Sequence, residues 1–420
     1  MSIQVYKESE VGKIPNNWSV KQIGKIGYTY SGLTGKGKDD FGKGNSRYIS
    51  FLNVLNNPVL RTDIFEKVSV SDGERQNLAL KGDLFFNTSS ETPEEVGICA
   101  LLNDDVPNLY LNSFCFGYRL TDPEVDGLFL SYFFRSKVGR DIMTMLAQGA
   151  TRYNLSKESF NKTLIAFPPF DEQKRIADAL SAVDELIGAL DEAIAKKRQI
   201  KEGLMQQLLT GKTALQGFDG KWQSKRVGDI GFTYSGLTGK TKNDFGHGDA
   251  QYITFLNVLN NPVLNTDIFE RVDVRGDERQ NAAKKGDLFF NTSSETPEEV
   301  GFCALLNDDV EKLYLNSFCF GFRLTDPEVD GLYLSYFWRS KQGRGIMSAL
   351  AQGATRYNLS KEYFNKTEIL LPPLEQQKNI ANTIAAADDE IAKLVEKREK
   401  YFLIKQGMMQ ELLTGKTRLI

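Results

Sequence analysis

Apolar positions along the chain follow two regimes. From Asp171 to about Leu209 they fall at Ile176, Leu180, Val183, Ile187, Leu190 and Ile194, with steps of 4, 3, 4, 3 and 4 residues. That is the a/d seam of a coiled-coil helix. After a polar break at Lys197 the stripe resumes with Ile200, Leu204 and Leu208, and Gly211 supplies a stop. A second such segment carries Ile380, Ile384, Ala387, Ile391 and Leu394, then Ile404, Met408 and Leu412, and ends at Gly415. Pro168-Pro169 and Pro372-Pro373 precede the two segments, and proline followed by acidic residues is a good helix start. Elsewhere the pattern is of short strands rich in aromatic and β-branched residues: Arg47 to Leu52, Asp83 to Phe86 and Phe114 to Leu120. Gly, Asn and Asp turns punctuate them. A helix is predicted from about Val125 to Met145, its apolar side supplied by Leu128, Leu130, Tyr132, Phe133 and Met143.

The whole arrangement occurs twice. Adding 204 to a position in the first half usually returns the same residue, without a gap. Phe51 to Leu60 recurs unchanged as Phe255 to Leu264, and Gly82 to Glu91 as Gly286 to Glu295. Such a period is far longer than the roughly 20–50 residues of solenoid repeats, so each copy is expected to be a whole domain. Helices of about forty residues, ~55–60 Å long at 1.5 Å per residue, are too long to pack against one small domain. The expected architecture is α+β: two repeated domains separated by an antiparallel two-helix coiled coil with pseudo-two-fold symmetry. The boundaries read 1–169 for the first domain, 170–212 for the first helix, 213–373 for the second domain and 374–420 for the second helix.

Composition narrows the chemistry. The 420 residues hold one histidine, His247, whose counterpart is Lys43. Histidine triads and HExxH metal sites are thereby excluded, and His247 is expected on an exposed loop. The four cysteines obey the repeat (Cys99 and Cys115, Cys303 and Cys319), with no CxxC pair. They are expected as buried free thiols rather than disulfides or zinc ligands. No apolar run suggests a membrane span, and the first residues lack a signal peptide's pattern, which points to the cytoplasm. The net charge of −3 argues weakly against nucleic acid unless charge is segregated.

Gly211-Lys212-Thr213 and Gly239-Lys240-Thr241 resemble the end of a phosphate-binding loop. Gln206 and Tyr234 stand where that loop needs its earlier glycine, so both matches fail. Pro168-Pro169-Phe170 lacks the preceding amide or acid of an amino-methyltransferase motif. No catalytic centre, cofactor or metal is expected. The polar loops are the better candidates: Arg, Asn and Gln suit base edges, while Ser, Thr and Lys suit phosphates. The candidates are Thr34, Lys36, Lys38, Arg75, Gln76, Asn87, Thr88, Ser89, Ser90, Gln148, Thr151, Arg152, Tyr153 and Asn154. In the second copy they are Thr238, Lys240, Arg279, Gln280, Asn291, Thr292, Ser293, Ser294, Gln352, Thr355, Arg356, Tyr357 and Asn358.

Several segments together carry a family resemblance. They are Gly12-Lys13-Ile14-Pro15-Asn16-Asn17-Trp18, the Gly82-Asp83-Leu84-Phe85 strand, the Pro-Pro-x-x-x-Gln-Lys helix starts, and the endings Gly203 to Lys212 and Gly407 to Lys416. With these the chain resembles the specificity subunits of type I restriction-modification systems. The resemblance implies two target-recognition domains reading double-stranded DNA, two docked methyltransferase subunits, restriction subunits in some complexes, and no catalysis by the chain itself. It departs from the usual pattern in one respect: roughly three quarters of recognition-domain positions are identical between copies. Similar readers related by a two-fold axis should prefer inverted, matching half-sites. The helix length sets an upper limit of about 16–17 base pairs between half-site centres. The alternative is a non-DNA scaffold presenting two identical protein-binding modules on a rod.

Overall fold

The computed structural model describes residues 5–71, 73–211 and 221–420. It divides into two compact units, Met1–Asp191 with Glu396–Ile420, and Glu192–Val395. Lys212 and Thr213 of the loop-like match, and the boundary between them, lie outside the described residues.

In the first unit a four-stranded antiparallel sheet runs in the order Gly27–Ser31, Cys115–Leu120, Leu84–Asn87, Cys99–Leu101. Side chains alternate between its faces, and both faces are covered. On one side Leu84, Phe86, Phe116 and Tyr118 pack against Phe129, Leu130, Phe134 and Phe160. The Phe86 and Phe116 rings stack with centroids 5.3 Å apart. On the other side Tyr30, Phe85, Ala100 and Cys115 meet Ile49, Val54, Leu60 and Leu111. The second unit repeats this sheet as Gly231–Ser235, Cys319–Leu324, Leu288–Asn291 and Cys303–Leu305, with an equivalent two-sided core. All four cysteines are buried and unpaired.

Three elements differ from expectation. Phe51–Asn56 is a helix, not the end of a strand, because the strand Phe41–Ile49 ends before Ser50. The expected helix from Val125 to Met145 is two, Gly127–Arg135 and Lys137–Leu146. Ser136 divides them: its backbone is extended, and its Oγ donates to Phe133 O (2.7 Å) while accepting from Gly139 N (3.3 Å). His247 is exposed, yet lies within the strand Phe245–Ile253 rather than in a loop.

The two long helices are Phe170–Leu208 and Leu374–Leu412. Gln173 explains the Pro-Pro-x-x-x-Gln starts. It is buried, donates to Pro168 O (2.9 Å) and Glu124 O (3.0 Å), and accepts from Asp126 N (2.9 Å), tying helix to domain. Gln377 does the same in the second unit.

Within the first unit the helices pair antiparallel through Asp184–Lys405 and Asp191–Arg398, and Arg418, beyond the end of the second helix, pairs with the buried Glu172. Within the second, Lys197–Glu390 and Lys201–Asp388 do so. Lys201–Asp388 and Asp184–Lys405 join positions related by the 204-residue repeat, so each unit contains the same helix-to-helix ion pair. Of the seam, Ile176, Leu180, Ile187, Leu190, Ile194, Ile380, Ile384 and Ile391 are buried, while Val183, Ala387 and Leu394 are half-buried. The resumed stripe is corrected at Ile200 and Ile404, both exposed. There the half-buried positions fall to Lys201 and Lys405, whose ammonium groups lie over the Tyr336 and Tyr132 rings, 5.7 and 5.3 Å from the centroids.

Candidate nucleic-acid interface

The end of the central sheet gathers the polar segments. Phe116 lies opposite both Ser31 and Phe86, so the loops after Ser31 and after Asn87 leave the sheet side by side. The third segment joins them through a small sheet, Ala147–Gln148, Tyr153–Leu155 and Ser89–Ser90, in which Tyr153 pairs with Ser90 and Asn154 with both Ser89 and Gln148. The turn between needs Gly149, whose φ is +141° and where a Cβ would lie 2.1 Å from Arg152 O.

The loop after Ser31 is pressed against its own domain. Leu33 N donates to Leu111 O (2.7 Å), and a Cβ on Gly32 would meet Asn112 O at 2.0 Å. Gln76 clasps the loop from the side, accepting from Thr34 N (3.1 Å) and donating to Thr34 O (2.8 Å). Asn77 Nδ2 donates to Ser31 O (3.0 Å), and Lys157 Nζ to Ser31 Oγ (2.8 Å). Burial pushes the Lys157 ammonium below the usual lysine value. The second copy repeats these contacts through Gln280, Asn281 and Lys361.

Several expected contact residues are turned inward. Asn87 and Asn291 are fully buried. The Asn87 amide donates to Glu95 O (2.8 Å) and accepts from Ile98 N (2.6 Å), so it braces the loop and cannot reach a partner. Ser89 and Ser293 are buried as well. Lys36 and Lys240 have side chains only 6% and 5% exposed, ion-paired to Glu74 (2.5 Å) and Glu278 (2.6 Å). Each lysine holds its partner carboxyl down at about 2. These ion pairs tie each lysine to its own loop carboxylate. Gln76 and Gln280 are engaged by loop backbone. Thr88 Oγ1 donates to Phe114 O (2.7 Å), and Ser90 Oγ to Glu95 (2.7 Å).

What remains presented outward is narrower. Lys38, Arg75, Gln148, Thr151, Arg152 and Asn154 are exposed, with Tyr153 half-buried. Thr34 is exposed but contributes its backbone to the Gln76 clasp. The second copy presents Thr238, Arg279, Gln352, Thr355, Arg356 and Asn358, with Tyr357 half-buried; Thr292 and Ser294 are also half-buried. Among the described residues, Lys38, Arg75 and Arg152 have no ion-pair partner, nor have Arg279 and Arg356. The arrangement therefore offers free cations and amide donors and acceptors on a rigid loop base, suited to phosphates and base edges.

Sequence reasoning missed Asp83, which anchors the Gly82-Asp83-Leu84-Phe85 motif. Its buried carboxylate accepts from Tyr30 Oη (2.6 Å), Arg119 Nε (2.7 Å) and Leu80 N (2.8 Å). Burial, with the Asp83 charge, pushes the Tyr30 hydroxyl up. It also missed Phe114 and Phe318, each 58% exposed on the turn between the loops.

The family model for the type I restriction modification DNA specificity domain matches twice, over residues 15–201 and 219–400. The chain belongs to that specificity family. It is 25% identical to a putative type I restriction enzyme MjaX specificity subunit of Methanocaldococcus jannaschii, over 98% of this chain and 96% of the relative. It is 23% identical to the EcoKI specificity subunit of Escherichia coli K12, over 89% and 82%. The fold is shared with the type I S subunit from M. genitalium, at a TM-score of 0.58 and 15% identity over 94% of this chain and 96% of that one. Specificity-family membership and the doubled loop set describe one object: two target-recognition domains, each with its own copy of the site. Among the described residues, no helix is long and apolar enough to cross a membrane.

Proposed function

We propose that this chain reads a bipartite DNA site for a type I restriction-modification complex, each unit contacting one half-site through Arg152, Tyr153, Asn154 and Arg75 or their counterparts. The observation that carries this is the duplication of the outward-facing set: the segment from Gln148 to Ser156 recurs without change as Gln352 to Ser360. Equal readers imply equal half-sites, and a two-fold-related pair of such readers would prefer them inverted. The domain limits 1–169 and 213–373 mark the readers, and the helices 170–212 and 374–420 the spacer that two methyltransferase subunits would grip. Catalysis then belongs to those subunits, with restriction subunits joining where present, in the cytoplasm where the DNA is.

The acidic balance, pI about 5.6, accords with this division. The free cations are few and local, so the isolated chain should bind duplex DNA weakly and with strong salt dependence, and the complex tightly. Fluorescence anisotropy with duplex DNA, with and without the methyltransferase subunit, tests the reading. Absence of DNA binding in both, with stable capture of two copies of a protein partner, would favour the scaffold instead.

A further inference from the structure

Phe114 and Phe318 are large apolar side chains held in water by their surroundings. Each is 58% exposed. Phe114 N donates to Asn112 Oδ1 (2.8 Å), and Phe114 O accepts from Thr88 N (3.0 Å) and Thr88 Oγ1 (2.7 Å). Asn112 is itself buried and tied to Ile49 O (2.9 Å). Phe318 has the matching bonds, to Asn316 Oδ1 (2.8 Å) and from Thr292 N (2.9 Å). The backbone therefore cannot fold the ring back onto the core.

The setting selects the occupant. The ring stands where the loops after Ser31 and Asn87 diverge, beside Thr88, whose carbonyl accepts from Leu155 N (2.8 Å) in the strand that carries Tyr153 and Asn154. Among the described residues the exposed cations of these segments, Lys38, Arg75 and Arg152, have no ion-pair partner, and Gln148, Thr151 and Asn154 are exposed hydrogen-bonding groups beside Arg152. An apolar protein patch would leave them desolvated and unpaired, whereas DNA satisfies them. Within the major groove the one apolar feature of the base edges is the C5-methyl group of thymine. We propose that Phe114 and Phe318 each press on a thymine methyl, so that every half-site contains a thymine read by apolar contact. This rests on the DNA-reading function proposed above.

The test uses the full chain co-purified with its methyltransferase subunit. One host DNA fragment that the complex methylates is amplified once with thymidine and once with deoxyuridine triphosphate. Wild type should bind the thymine duplex about fourfold more tightly per half-site, and about fifteenfold for both, the worth of one buried methyl group at each. The double variant F114A/F318A should bind both duplexes alike, at the wild-type affinity for the uracil duplex, while F114L/F318L keeps part of the preference. Equal wild-type binding to the two duplexes overturns the proposal, and so does an alanine variant that retains the preference. An alanine variant weakened equally on both duplexes, with the preference intact, points to a base-step wedge and also overturns it. Failure of wild type to bind either duplex more tightly than an unrelated fragment removes the DNA-reading function itself. The wild-type comparison needs no variant, so a substitution that fails to fold leaves the outcome readable.

Discussion

Replacing Arg152 and Arg356 by alanine perturbs the outward surface while leaving its frame intact. Both side chains are exposed and unpaired among the described residues, and the turn beneath each is fixed by backbone pairing and by Gly149 or Gly353. The variants should therefore fold with stability within about 0.5 kcal/mol of wild type. Two binding outcomes are distinguishable. If the guanidinium groups meet phosphates, losing both lowers the magnitude of the slope of log K against log salt by about 1.8, at about 0.9 per contact. If they meet guanine edges, each loss costs about 1–3 kcal/mol, roughly 5- to 150-fold, and relaxes preference at one position of one half-site. The sites belong to separate compact units, so the two single effects should add in the double variant to within about 0.5 kcal/mol. The assay is anisotropy titration of the methyltransferase complex at several salt concentrations, with methylation sequencing for preference. Unchanged affinity, slope and methylation pattern in the double variant would refute the placing of this turn at the DNA.

Other consequences follow from the frame. Asp83→Ala strips a buried carboxylate from Arg119 and Tyr30; losing one partner of such a pair costs about 3–5 kcal/mol, or about 6–20 °C in Tm by calorimetry. A shift under about 2 °C would contradict the anchoring role. Gln76→Ala removes two hydrogen bonds to Thr34, worth about 1–3 kcal/mol of local order. Amide exchange across 34–38 should quicken by about 5- to 150-fold and DNA affinity should fall, with the second unit unaffected. Burial pushes the thiols of Cys115 and Cys319 up to about 12, and those of Cys99 and Cys303 higher than usual too. Their folded values exceed the unfolded value of about 8.5, so their contribution is fully present below that pH and declines above it by about 1.4 kcal/mol per unit per thiol. Urea melts at rising alkaline pH should follow this loss, and native protein at pH 8 should resist thiol reagents that label all four residues after unfolding.

The long helices and the repeat were legible because their signals are long. A seam over five steps and a shift of 204 residues each average over many positions. Local alternatives of equal length were not. Phe51-Leu52-Asn53-Val54-Leu55-Asn56 suits a strand as well as the helix that it forms, and nothing before Ser136 announces a break that its hydroxyl creates by capping. The candidate surface was the hardest to read, for a physical reason. Side chains that bind DNA are the same types that satisfy loop backbone, so Asn87, Gln76 and Lys36 fit either role until burial separates them. The exposed Phe114 was hidden for the opposite reason: within Phe-Cys-Phe it reads as one more core residue of a strand.

The central claim is that two equal readers specify two equal, inverted half-sites. Methylome sequencing of the source strain with and without this gene tests it most directly. The account predicts the loss of one interrupted motif whose halves are the same sequence on opposite strands, each containing a thymine. Two unrelated half-sites would contradict the claim of equal readers, and an unaltered methylome would contradict the DNA-reading function.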